Sequence, residues 1–292
     1  ESELTNIATG AAVFTGSTGT LALADSSDFA MGTGAFTVEA WIYYVSTTNY
    51  IQLWEGRPDN TSGDYLNIGI TGNGQGIVDI AVPGGSNVIS PETLATNKWT
   101  HVAVVREGTG TNQTKIYYNG MLVKAGTNAV NYSGNQGGRI AGQAWQRGNF
   151  TGKISNLRIV KGTAVYTEPF IPPTTALTNI TNTVLLCCQD TSDPTVAAVK
   201  PGNITNTDVT ASSENVQLPL SSTLNWPTGV TWNGGTAPTL ASLAAGNDYS
   251  KTGQVFNLVT ADGGVTWYGY EEVKNTIQQP STLWAWGQND GG

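Results

Sequence analysis

An all-β fold is what this sequence predicts: two packed antiparallel sheets with a smaller β-domain after them. Three observations predict it. Short apolar runs alternate with Gly, Asn and Pro turn signals along most of the chain. Almost no stretch carries the 3.6-residue apolar period of a helix. The 292 residues include 36 Gly and 12 Pro, scattered rather than in runs, as many short strands and tight turns require.

The elements follow in order. AAVF (Ala11 to Phe14) and TLAL (Thr20 to Leu23) flank the small-residue turn TGSTG. FTVEAWIYY (Phe36 to Tyr44) is a long strand with Phe36, Val38, Ala40 and Ile42 on one face and Glu39, Trp41 and Tyr43 on the other. Apolar residues on both faces mark it as an inner strand. YIQLWE, DYLNIGI and GIVDIAV are strands bounded by Gly, Asn or Pro, and KWTHVAVVRE (Lys98 to Glu107) is another. KIYYNGMLVKAG is a hairpin, because Asn119-Gly120 supplies the two positive φ angles of a type I′ turn.

FTGKISNLRIVK breaks the alternation. Ile154 to Leu157 is a step of three and Leu157 to Ile159 a step of two. Both Ile154 and Leu157 face one core only if an extra residue intervenes, which predicts a β-bulge near Ser155-Asn156. Pro169, Pro172 and Pro173 then prevent further central pairing. VLLCC (Val184 to Cys188) reads as a last strand returning to the sheet, with Cys187 and Cys188 as free thiols on opposite faces.

These elements divide the chain into a sandwich domain (1–188), a polar linker (189–217), a small β-domain (218–275) and the start of an incomplete β-element (276–292). Trp226, Trp232 and Trp267 are expected to supply the apolar mass of the small domain, with Asp262-Gly263 as a hairpin turn. The chain opens at Glu1 without Met and is read as a fragment, a processed form or part of a longer protein.

Composition excludes several functions. Charged residues make up 12% of the chain and the net charge is −8, with no Lys/Arg cluster to displace counterions from phosphates. Nucleic acid is therefore not an expected partner, nor is an anionic membrane surface. There is no apolar run near the ~18 residues of a membrane span. No Walker loop, HExxH or zinc set is present.

Candidate site residues fall in two segments. LWEGRPDN offers Trp54, Arg57, Asp59 and Asn60; GQAWQRGN offers Gln143, Trp145, Gln146, Arg147 and Asn149. An exposed aromatic beside planar polar groups suits a sugar, whose C–H face stacks while its hydroxyls hydrogen-bond. The alternative is that Trp54 and Trp145 belong to the core or to a subunit interface. Asp25, Asp28, Asp59 and Asp64 are candidate calcium ligands, although Asp in turns more often caps backbone amides. Glu39 lacks acidic neighbours at glycosidase spacing and is expected to be a solvated or hydrogen-bonded sheet residue. His101, the single histidine, is expected to be structural rather than catalytic.

The run from AAVFTG to IYY, then KWTHVAVVRE, KIYYNGMLV and FTGKISNLRIV, resembles a laminin-G-like, concanavalin A-like jelly roll. The resemblance implies two antiparallel sheets, one curved, with a concave face that often binds sugars. Thr15 follows Phe14 where many such domains carry an acidic residue, so the family's calcium site is not carried over. ISNLRIVKGTAVYTEPFIPPTTALT with VLLCCQD resembles virion proteins of tailed phages, particularly those of marine cyanobacteria. WPTGVTWNGGTAPTL with DGGVTWYGY resembles a small tail-fibre domain, and LWAWGQNDGG the first strand of a chromosome-condensation-regulator-type propeller repeat. The resemblance implies a non-enzymatic structural protein of the virion surface, outside the cell. It would be a tail fibre or surface appendage, a homo-oligomer such as a trimer, contacting other virion proteins and host-surface polysaccharide. The alternatives are a purely architectural capsid-decoration or extracellular filament subunit, and a glycan-cleaving enzyme.

Overall fold

The structure is a computed structural model and describes residues 7, 9–16, 18–47, 51–57, 64–71, 77–81, 88–133, 136–142, 150–170, 172–213 and 216, together with the strand segments 224–225, 255–259, 267–273, 276–277 and 288–289. In chain order the strands begin with β1 (Ala11–Thr15), β2 (Thr20–Ser26), β3 (Phe36–Thr47), β4 (Ile51–Glu55), β5 (Asn67–Thr71), β6 (Ile77–Ala81), β7 (Val88–Thr93) and β8 (Trp99–Arg106). They continue with β9 (Thr114–Tyr118), β10 (Met121–Gly126), β11 (Gln136–Ile140), β12 (Phe150–Lys161), β13 (Thr183–Cys187), β14 (Ala197–Val199), β15 (Ile204–Thr207) and β16 (Thr210–Ser212).

Two sheets form a sandwich. The nine-stranded sheet runs β10-β9-β8-β3-β12-β1-β16, with β13 also paired to β12 and β14 to β13. The seven-stranded sheet runs β15-β2-β11-β4-β5-β6-β7. The core between them takes Phe36, Val38, Ala40, Ile42 and Tyr44 from β3, Ile68 and Ile70 from β5, and Val102 and Val104 from β8. Asn119 (φ 48°) and Gly120 (φ 82°) make the expected I′ turn between β9 and β10.

The step change in β12 is a bulge. Ser155 pairs with Trp41 and Arg158 with Glu39, so Asn156 and Leu157 together oppose Ala40. Asn156 takes a left-handed φ of 53°, and both Ile154 and Leu157 reach the core. The bulge is also a fastening point. The Leu177 amide and Gln189 Nε2 each donate to Asn156 Oδ1 at 2.7 Å. Asn156 Nδ2 donates to Ser155 Oγ at 2.8 Å, and the Asn156 amide donates to the Cys188 carbonyl at 3.2 Å.

The outer face of the nine-stranded sheet is covered as well. Residues 162–170 and 172–182 cross it as a strap. Val165 N–H donates to Thr37 Oγ1, Phe170 N–H to the Gly120 carbonyl, and Arg158 Nη1 to the Thr178 carbonyl. Tyr166 and Phe170 stack at 3.5 Å and pack with Ala103, Val105 and Tyr117. A Cβ on Gly120 would lie 1.7 Å from the Phe170 carbonyl oxygen, so the turn needs glycine for the strap as well as for φ.

Three expectations are corrected. Residues 189–217 are not a linker: β14 extends the nine-stranded sheet from β13, β15 pairs with β2, and β16 pairs with β1. Val184 to Cys188 is accordingly not the last strand. Cys187 and Cys188 do not point to opposite faces either. Cys188 has φ 61°, which turns the chain so that both thiols enter the same core, 3.6 Å apart.

A separate five-stranded sheet contains β17 (Leu224–Asn225), β18 (Val255–Val259), β19 (Trp267–Val273), β20 (Thr276–Ile277) and β21 (Gln288–Asn289). Its order is β17-β19-β18-β21, with β20 beside β19. The expected Asp262-Gly263 turn, Trp226 and Trp232 lie outside the described residues.

Candidate functional site

Sheet register sorts the side chains of the seven-stranded sheet. Leu66, Ile68 and Ile70 belong to the core, so Asn67 and Gly69 take the outer face. Glu55 stands opposite Asn67, and Gln52 opposite Gly69. Between them the register shifts at Leu53, which lets both Leu53 and Trp54 turn inward. Arg139 is opposite Glu55 on the other side, followed by Ala22 and Thr205. The outer face thus carries a polar row, Thr205-Ala22-Arg139-Glu55-Asn67. Exposure falls along it, from exposed Thr205 through half-buried Ala22 and Arg139 to Glu55 at 0% and Asn67 at 1%.

Charge at the centre of the row is balanced locally. Arg57 Nε lies 3.7 Å from Glu55 Oε1, and Arg139 Nη1 lies 3.9 Å from Glu55 Oε2. Arg139 Nη1 also donates to the Arg57 carbonyl at 3.0 Å. The amides beside this group are less well served. Gln52, 3% exposed, and Asn67 each bury a side-chain oxygen that has no hydrogen-bond partner. An unmet buried amide end costs about 1–3 kcal/mol, and these two stand on one face.

The residues nominated from sequence fare differently. Trp54 is corrected: it is 1% exposed, packs on Phe29 with ring centroids 4.8 Å apart, and lies under Gly138, where a Cβ would come within 2.4 Å of its ring. It is core and offers no surface for stacking. Arg57 is half-buried and joins Glu55, as above. Asp59, Asn60, Gln143, Trp145, Gln146, Arg147 and Asn149 lie outside the described residues. Asp25, Asp28 and Asp64 are exposed, and the Asp28 amide is capped by Ser26 Oγ at 3.1 Å. Among the described residues no group of three or more His, Cys, Asp or Glu is placed to hold a metal ion, and no helix is long and apolar enough to cross a membrane. Sequence reasoning missed Gln52, Glu55, Asn67 and Arg139. The signal was there in the polar positions of IQLWE and DYLNIGI, once those strands are read for their outward residues.

Glu39 and His101 form a second polar cluster, on the opposite sheet. Arg158 grips Glu39 Oε1 through Nη2 (2.6 Å) and Nε (2.9 Å), while His101 Nε2 (3.2 Å) and the Tyr166 hydroxyl (2.8 Å) meet Oε2. Burial works to raise the Glu39 carboxyl, but His101, Arg158 and Tyr166 together hold it below its ordinary value. Burial, followed by the Glu39 carboxylate, pushes the Tyr166 hydroxyl far up, so it stays a donor. With Glu39 at 1% and His101 at 0% exposure, the cluster fastens the strap to the sheet and presents no group to a substrate.

Comparison with known proteins agrees with this architecture. No curated protein sequence matches the chain. Among solved structures, a candidate carbohydrate-binding protein from Bacteroides ovatus superposes with a TM-score of 0.53 at 17% identity, over 73% of this chain and 62% of that one. The chain therefore spans less than two thirds of that protein, and the likeness speaks to the fold alone. A SAP-like pentraxin from Limulus polyphemus (TM-score 0.46, 14% identity, 71% of this chain and 96% of that one) is more distant. So is domain 4 of an extracellular arabinanase from Geobacillus stearothermophilus, solved with arabinotriose (TM-score 0.44, 23% identity, 54% and 73%). Residues 15–165, just over half of the 292, match the laminin G-type family model described as the Concanavalin A-like lectin/glucanases superfamily, and the chain belongs to that family.

Proposed function

We propose that this chain is a non-enzymatic glycan-binding module. The observation that carries the reading is the match of residues 15–165 to the lectin/glucanases family; the amide oxygens of Gln52 and Asn67, buried without partners beside Glu55 on the outer face of the seven-stranded sheet, are the candidate polar contacts a ligand would have to uncover. Sugar hydroxyls both donate and accept, so they suit planar amides whichever way the amide is turned. The non-enzymatic part rests on the carboxylates. Glycoside hydrolysis needs two, about 5–9.5 Å apart. Glu39 is committed to the strap, and the register neighbours of Glu55 are an amide and a guanidinium. The setting follows from the phage-like segments noted above: a virion-surface fibre or appendage, extracellular, oligomeric, packed on other virion proteins and touching host-surface polysaccharide.

A glycan array followed by calorimetry on the binding glycan tests this. The chain is expected to bind, and the Gln52→Ala/Asn67→Ala variant to lose about tenfold or more at an unchanged circular dichroism spectrum, the equivalent of one or two hydrogen bonds. A folded chain that binds no glycan overturns the proposal.

A further inference from the structure

We infer that Cys187 and Cys188 are a disulfide site: the pair closes on itself as the chain folds in the presence of a small-molecule disulfide, and the finished core then seals the bond. Neighbouring cysteines rarely join. Their Cα atoms stand about 3.8 Å apart, closer than the roughly 4.4–6.8 Å of an ordinary disulfide. In an extended strand their side chains also leave on opposite faces. Here the backbone removes the second obstacle. Cys187 ends β13, and Cys188 turns to a left-handed φ of 61°. Both thiols are free and enter the same core, where the sulfurs stand 3.6 Å apart. Closing the bond brings them to about 2.0 Å. The turn is held from several sides. The Asn156 amide donates to the Cys188 carbonyl at 3.2 Å, and the Gly10 amide to the Gln189 carbonyl at 2.7 Å. The ladder is also irregular at this point, because the register of β13 against β14 shifts between Leu186 and Cys187.

The chemistry is thiol–disulfide exchange. One cysteine thiolate attacks a disulfide RS–SR, forms a mixed disulfide and releases RS−. The second thiolate attacks that cysteine's sulfur, closes the Cys187–Cys188 bond and releases the other RS−. The two protons lost by the cysteines end on the two RS−, so the pair is oxidised and RS–SR is reduced to two RSH. Burial decides when this happens. Cys187 is 0% exposed and Cys188 1%. The hydrogen bond with Cys188, and then burial, push the Cys187 thiol well up, so the folded chain offers neither access nor thiolate. Exchange therefore belongs to the folding chain, before the sheets close. The loop closed is the shortest a disulfide can make, so it restricts the unfolded chain little. Its effect is local: it fixes the turn after which β14, β15 and β16 follow.

The experiment refolds the full chain from denaturant in a glutathione buffer rich in the oxidised form. Free thiols are then alkylated after unfolding, and the intact mass is read. A peptide of residues 183–192 in the same buffer is the unfolded reference. The expected product is a monomer two hydrogens lighter that takes no alkyl group and has the circular dichroism spectrum of the reduced fold. The ratio of bonded to free pairs should exceed that of the peptide by at least about tenfold, because the fold holds the turn ready. A chain folded first under reductant and then moved to the same buffer should stay reduced. Refolded chain with both thiols free would overturn the inference, as would a bonded fraction no greater than the peptide's. Bonded chain that stays unfolded would overturn it too, by making the bond incompatible with the fold. Oxidation of the folded chain as fast as of the refolding one would contradict the sealed core.

Discussion

Asn156 shows how much one residue can do. It sits at a left-handed φ of 53° that Asn tolerates better than most residues, and its side chain joins three distant segments, at Leu177, Gln189 and Thr9. Replacing it by Ala leaves the Leu177 amide without its acceptor, takes from Gln189 Nε2 one of its two, and adds left-handed strain. Asn156→Ala is therefore expected to cost about 3 kcal/mol, and Asn156→Gly about 1 kcal/mol less because it sheds the strain, as read by urea denaturation. The bulge itself was legible, because a broken alternation cannot be hidden; the partners of Asn156 were not, since they come from residues 21 and 33 positions away. Glu39 is a similar case. Its pairing with His101, Arg158 and Tyr166 spans 62, 119 and 127 residues, beyond the reach of any local pattern.

That pairing sets a pH dependence. The folded Glu39 carboxyl is held below its unfolded value, so the folded state favours the ion and gains stability above the unfolded pKa. The gain is lost as pH falls below about 4 and through the lowered folded value, where protonation releases Arg158 and His101. Wild-type stability should fall over that window. Glu39→Gln should lose about 3–5 kcal/mol at neutral pH by leaving Arg158 buried without its counter-ion, and should show a shallower acid limb, both measured by denaturant titration.

Among the elements, those with strong apolar alternation were predicted closely, and those at sheet edges were misread. β14, β15 and β16 are three or four residues long, and β15 and β16 are mostly polar, because an edge strand buries little. Their composition is that of a linker, and only the pairing with β13, β2 and β1 reveals them. The same pairing predicts the effect of truncation. A chain ending at residue 188 uncovers the edges of β1 and β2 and loses the Gln189 contacts to Asn156 and Leu177; it should melt well below a chain ending at 216, or aggregate on expression. Equal melting temperatures would show that these strands are accessory. Trp54 was misjudged for another physical reason: the extra residue at Leu53 reverses which way the strand's next side chain faces.

In the whole molecule the two sheets divide their labour. The outer face of the nine-stranded sheet is closed by a strap that consumes its charged groups internally. The outer face of the seven-stranded sheet keeps amides without partners at its centre and open positions toward its edges. Family membership accounts for the sandwich, and the proposed glycan contact lies on the second of these faces. The most direct measurement is nuclear magnetic resonance of the labelled chain during titration with a binding glycan. The account predicts shifts in the side-chain amides of Gln52 and Asn67, with Tyr166 and His101 unmoved. Shifts confined to the strap face, with Gln52 and Asn67 silent, would contradict it.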